Sequence, residues 1–173
     1  MAIVEHRPPS LDHYLDGRPA VFLAGPIQGA PDWQEQAIQI FAHEYTRFPA
    51  LNIFNPRFGK VSSHNYAQQV LWEKRQLERA RDHGAILFWF AAKDGSLPYE
   101  EGRAYAQTSR VELGRAFGWR DYNGGVKIVI GIEPGYRGSE KYFKTLADEY
   151  DMPIYENLGG LCLAATGLLN DQS

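Results

Sequence analysis

The chain has 173 residues, of which 44% are hydrophobic and 23% charged, with 18 Lys and Arg against 21 Asp and Glu for a net charge of −3. Such a chain has room for one globular domain with a real core, and without a basic cluster it argues against nucleic acid as the main partner. No apolar run approaches the roughly 20 residues that span a bilayer, and the single Cys162 leaves no internal disulfide, which fits a reducing cytoplasm.

Residues 1–19, "MAIVEHRPPSLDHYLDGRP", are polar and broken by prolines, and predict an N-terminal arm ahead of a domain over 20–173. Their charges and prolines interrupt any signal-peptide core. "AVFLAGP" (20–26) predicts a buried first strand stopped by Gly-Pro. An amphipathic helix is expected over 31–47, with Pro31 in its first turn and Ala37, Ile40 and Phe41 on its inner face. "LNIFNP" (51–56) predicts the second strand, and 65–82 a helix with Val70, Leu71, Leu77 and Ala80 on or near its inner face. "AILFWF" (85–90) is apolar at every position, as strands covered on both faces of a parallel sheet are.

Next come 18 residues, 91–108, long for a connection in a compact domain. They hold Asp94, Tyr99, Glu100, Glu101 and Tyr105, with Gly95 and Gly102 as possible hinges. The segment reads as a lid over a site or as a solvent-exposed insertion. A helix over 109–117, a strand "VKIVIGI" (126–132), a helix near 139–150 and a short strand "MPIY" (152–155) follow. The apolar tail "LGGLCLAATGLL" predicts a helix packed on the domain or in a subunit interface, with Cys162 as buried packing. This alternation predicts an α/β class: a doubly wound parallel five-stranded sheet with helices on both faces. Such sheets bind ligands at the carboxyl ends of their strands, which selects residues 25–30, 55–57, 91–108 and 133–139.

Several chemistries are excluded. No GxxxxGK[ST] occurs, and "GPIQGA" departs from GxGxxG, with Pro26 removing a backbone donor. His6, His13, His43, His64 and His83 show no HxH or HxxxH spacing and no Cys pair exists, so no metal site is expected. A GxSxG elbow is absent. Carboxylates with aromatic walls remain. In "SRVELGRAFG" (109–118), Leu113, Ala116 and Phe117 form a buried helical stripe with Glu112 at its edge. Ser109-x-x-Glu112 reads as a capping box. The first turn of a helix also favours a negative charge, and Gly114 is expected to let helix and strand approach closely.

"VFLAGPIQGAPDW", "FNPR", "QVLWEKRQL", "ILFWF" and "SRVELGRAFG", in that order, together resemble the nucleoside 2-deoxyribosyltransferase-like family over roughly residues 20–132. The resemblance implies a flavodoxin-like fold and cleavage of the N-glycosidic bond of a nucleoside or nucleotide, with Glu112 of "VELG" as nucleophile. The glycosyl-enzyme then passes to a second base or to water. No metal or redox cofactor is implied. Glu73 of "WEKRQL" resembles the acid of similar members, whereas better-known members carry an aspartate at the place of Gln76, so the implied second acid is Glu73 or a carboxylate of the 91–108 segment.

The resemblance further implies that Gly25 and Pro26 shape a turn framing the base, with Gln28 and Trp33 near the ligand, although Trp33 also reads as a helix-start hydrophobe. Asn55 and Arg57 of "NPR", Trp89 of "ILFWF" and Ser109 join the expected substrate-binding set. Arg57 reads as a ligand for phosphate or carboxylate, or as a surface arginine. Ser139 or Tyr136, after the "VIGI" strand, stands where members lend a residue to a neighbouring subunit; Ser139 also reads as a helix N-cap. "RARDHGAILFW" carries extra residues and the segment before Glu112 is longer than in relatives. The expected protein is a cytoplasmic homo-oligomer acting on a (deoxy)ribonucleoside or its 5′-monophosphate by cleavage or transfer, without nucleic-acid or membrane partners. The alternatives are a hydrolase of another nucleotide or NAD-like N-glycoside, and a non-catalytic nucleotide-binding module.

Overall fold

The computed structural model describes residues 2–9, 17–44, 50–58, 65–138 and 140–170. Six strands form one sheet: β1 (Ala2–His6), β2 (Ala20–Ala24), β3 (Ala50–Phe54), β4 (Gly84–Phe90), β5 (Ile128–Ile132) and β6 (Ile154–Tyr155). All neighbours run parallel, in the order β1-β3-β2-β4-β5-β6. Helices α1 (Trp33–Glu44), α2 (Tyr66–His83), α3 (Gln107–Asn123) and α4 (Glu140–Glu149) supply the connections from β2 onward, and α5 (Leu158–Asn170) follows β6. The expected α/β flavodoxin-like, doubly wound architecture is present. The five-strand count is corrected to six.

The sixth strand comes from the stretch expected as an arm. Ala2–His6 pair residue for residue with β3, from Ala2↔Ala50 to His6↔Phe54. A polar pair hides this strand from pattern reading. His6 Nε2 meets Asn52 Oδ1 at 2.8 Å, and both residues are buried. A buried histidine in "AIVEH" looks like an exposed one until its cross-strand partner is known.

Strands β2 to β5 are buried along their whole length, as the continuous apolar runs predict for a sheet covered on both faces. Alternation along β4 divides the core. Ile86, Phe88 and Phe90 join Phe22, Phe54, Trp72, Leu113 and Phe117 under α2 and α3. Leu87 and Trp89 join Val21, Leu23, Ile53, Trp33, Phe41 and Leu161 under α1 and α5. The apolar tail is therefore a helix packed on the domain, with Cys162 buried in it. No helix among the described residues is long and apolar enough to cross a membrane.

The chain leaves β2 over one face to reach β3 and leaves β3 over the other to reach β4. Neighbouring connections diverge at the carboxyl end of β2, and a crevice opens there.

Candidate active site

The crevice is a cleft of 1420 Å³. The turn after β2 (Gly25, Pro26, Gln28) and the turn after β3 (Pro56, Arg57) form one wall. Gln69 and Glu73 of α2 form another, and Tyr99 to Arg103 with Thr108, Ser109, Glu112 and Arg115 form the third. A smaller cavity of 530 Å³ lies at the opposite end of β5, between Val126, Asp151 and Leu168, and has no second acid.

Both expected acids line the cleft. Asn65 caps α2 by accepting from Gln68 N at 3.2 Å, which fixes the first turns that carry Gln69 and Glu73. Gln69 Nε2 donates to Glu73 Oε1 at 2.7 Å. Burial pushes the Glu73 carboxyl up to about 7, against the opposing influence of Gln69 and Arg103. Glu112 is partly buried, and its carboxyl is held well above the ordinary range by loss of solvent and then by the charge of Glu73, with Arg115 opposing. Arg115 is itself anchored by Glu78 at 2.6 Å and by its guanidinium 4.5 Å from the Trp119 ring. Two like charges in one poorly solvated cleft raise each other's proton affinity. The pair therefore resists carrying two negative charges at neutral pH.

The start of α3 departs from expectation. Its N-cap is Ala106, in the left-handed region at φ 55° and without a side-chain cap. Ser109 is the third helical residue and buried, so it does not cap and the Ser109–Glu112 capping box does not form. Glu112 lies more than a turn inside, where the helix dipole gives it little support. Gly114 offers no close approach either, because a Cβ placed there meets nothing within 4 Å. Arg115 is what balances Glu112.

The segment 91–106 is pinned across the site. Gly29 N donates to Pro98 O at 3.2 Å and Asp94 N to Gly29 O at 2.8 Å. The Lys93 ammonium stands 3.7 Å from the centre of the Tyr99 ring, and Gly29, at φ 67°, leaves space for that ring. At its two ends, Ala92 N donates to Glu133 Oε2 at 2.6 Å and the Tyr105 hydroxyl to Ala91 O at 2.9 Å. Glu100, Glu101 and Gly102 line the cleft, while Asp94 folds back on Ser96.

The expected binding residues divide. Gly25, Pro26, Gln28, Arg57 and Ser109 line the cleft with the two acids. Trp33, Asn55 and Trp89 do not. Trp33 is 2% exposed and donates from Nε1 to Pro26 O at 2.9 Å. Its ring and the Trp89 carbonyl press on Gly25, where a Cβ would sit 2.5 Å and 2.3 Å from them. Trp89 points to the α1 and α5 face, away from the acids, because alternation along β4 sends it there. Asn55 is fully buried and braces its turn by accepting from Arg57 N at 3.0 Å. Tyr136 is buried against Phe90 and Tyr105, and Ser139 lies outside the described residues. Gln76 is fully buried and does not line the cleft, so on α2 the cleft-facing acid is Glu73.

Gln69, Arg103 and Arg115 join the site without having been expected. Two of them carried a faint signal: Gln69 stands one turn before Glu73, and Arg115 three residues after Glu112. Among the described residues, no three His, Cys, Asp or Glu side chains gather as metal ligands do.

A sequence model of proteins described as nucleoside 2-deoxyribosyltransferase like matches residues 18–118. No curated protein matches the chain significantly. The matched span runs from β2 through α2 into α3, and so takes in both acids and all three walls of the cleft. More than half of the chain lies within it, and the chain belongs to the nucleoside 2-deoxyribosyltransferase-like family.

Proposed function

We propose that the protein breaks, or transfers across, the N-glycosidic bond of a nucleoside or its 5′-monophosphate, with Glu112 as nucleophile and Glu73 as proton donor. The observation that carries this reading is the acid pair: two carboxyls facing one cleft, each with raised proton affinity. A pair holding one proton contains both a base and an acid at neutral pH. The reactive form is the one in which the shared proton has moved to Glu73: the Glu112 carboxylate, opposite Arg115, attacks C1′ through an oxocarbenium-like state. The Glu112 oxygen–C1′ bond forms as the C1′–N bond breaks, and the Glu73 proton goes to the departing base nitrogen. Water or an acceptor base then takes C1′, frees Glu112 and returns a proton to Glu73.

The test incubates purified protein with the common deoxynucleosides, their 5′-monophosphates and NAD, and follows free base by chromatography. Release from a nucleoside or monophosphate, lost in Glu112→Gln, is the expected result. Free base from NAD alone would move the reading to an NAD-like hydrolase. No free base from any of them, or undiminished release by Glu112→Gln, would sink it.

A further inference from the structure

β1 lies outside the family-matched span, yet its carboxyl end lies beside that of β3, whose following turn lines the cleft. Its ladder with β3 runs one bond past the last register pair, with Asn55 N donating to His6 O at 3.0 Å. The Glu5 side chain then takes over. Its Oε1 accepts from Asn55 Nδ2 at 2.7 Å and from Arg7 Nε at 2.7 Å. Asn55, held in this way, uses its own side-chain oxygen to accept from Arg57 N. Glu5 sets Asn55, and Asn55 sets the backbone that carries Arg57.

The guanidinium of Arg57 is held from the other side by the start of α1. Nε and Nη2 both donate to Gln34 Oε1, at 3.2 and 3.0 Å, Nη2 reaches Pro31 O at 3.0 Å, and Nε lies 3.1 Å from Asp32 Oδ1. Gln34 is fully buried, and among the described residues its Nε2 finds no acceptor. A buried amide that leaves its donor unsatisfied is kept for its oxygen, which here accepts twice from Arg57. Among the described residues Arg57 Nη1 has no partner, and the residue lines the cleft on the α1 side, across from the acids on α2 and α3.

We propose that Glu5 is a positioning residue of the site, acting through Asn55 to aim Arg57, whose Nη1 binds an oxygen acceptor of the substrate away from the carbon under attack. The inference rests on the reading that a nucleoside or nucleotide fills the cleft. A base carbonyl and a 5′-phosphoryl oxygen share the required chemistry, because a guanidinium donates and never accepts.

Affinities are measured by calorimetry in a Glu112→Gln background, where ligand is not consumed. Deoxyinosine against deoxyadenosine, and deoxyuridine against deoxycytidine, report on a base carbonyl. Each nucleoside against its 5′-monophosphate reports on phosphate. Arg57→Ala is expected to weaken the favoured member of one comparison about tenfold. Glu5→Ala should weaken the same member about fivefold, and Glu5→Gln, which keeps an oxygen for Asn55, should restore it to within about twofold. Glu5→Asp falls a methylene short of Asn55 but stays charged toward Arg7. It should behave as Glu5→Ala does, and it decides the matter if Glu5→Ala does not fold. A folded Glu5→Asp with unchanged ligand selectivity, or Arg57→Ala binding every ligand as before, overturns the proposal. Base release by the wild type alongside that result would leave the proposed reaction standing. Selectivity lost as expected in a protein that releases no base would do the reverse.

Discussion

The two faces of the sheet are built from the same kinds of residue and do different work. Under α1 and α5 the packing is closed: Trp33 and the end of β4 press on Gly25, and a Cβ on Gly131 would meet the Trp89 ring at 2.5 Å. Under α2 and α3 the core is richer still in aromatic rings, with Trp72 set 6.3 and 6.4 Å from Phe22 and Phe54. This second core ends with the last residues of β2 and β3, Ala24 and Phe54, and Glu73, Glu112, Arg103 and Arg115 stand around the cleft beyond them. Apolar content does not distinguish a structural face from a working one. What does is where close packing ends relative to the strand ends. The tight face fixes the turn at Gly25, and that turn is a wall of the cleft belonging to the other face.

Glu112→Gln breaks the comparison hardest. It is expected to lower turnover about a thousandfold, and at pH 8 to melt no lower than wild type, because it removes a carboxyl whose ionisation the cleft opposes. A base-release assay beside a melting curve separates chemistry from folding. Gly25→Ala attacks the tight face and should cost about 2–3 kcal/mol, since the backbone oxygen of Trp89 cannot move aside as a flexible side chain can. Chemical denaturation measures it, and a loss below about 0.5 kcal/mol would show that this face yields.

Glu73→Gln sharpens the account of the working face through pH. In the folded protein burial pushes the Glu73 carboxyl up to about 7, above its ordinary 4.5. Between those values the native state binds more protons than the unfolded chain, so stability contributed at this position falls as pH rises through the window. Glutamine keeps an acceptor for Gln69 and has no such loss. The melting temperatures of Glu73→Gln and wild type should nearly coincide at pH 4 and separate by about 4 °C at pH 8, with the variant higher. A gap that does not change with pH would break this assignment. The smallest effect belongs to Ala106→Gly, which relieves the left-handed N-cap of α3 and should add about 1 kcal/mol, read from the denaturation midpoint at an unchanged slope.

The strands from β2 to β6 were legible because each central one is an unbroken apolar run, and parallel strands covered on both sides have no other pattern to show. β1 was not, because its buried His6 and the side-chain contact of Glu5 depend on Asn52 and Asn55, distant in sequence. In the site, the resemblance brought Glu112 and Glu73 forward, and the fold sets both on one cleft. Composition alone had offered only a carboxylate at the edge of a stripe. The capping box failed for a local reason: α3 begins at Gln107 behind an alanine, so Ser109 falls inside the helix. Trp33 and Trp89 failed for a topological one, since their segments do flank the cleft while their side chains face the opposite layer.

The position of β1 also orders assembly in time. Its neighbour in the sheet is β3, which is made only after β2 and α1. On a growing chain this strand emerges before β3, its partner in the sheet, and closing so distant a contact is slow. Arg57 therefore gains its Glu5 brace only once segments before and after β2 in the chain have come together, and the Arg57 side of the cleft is completed after the strand that anchors its neighbouring wall.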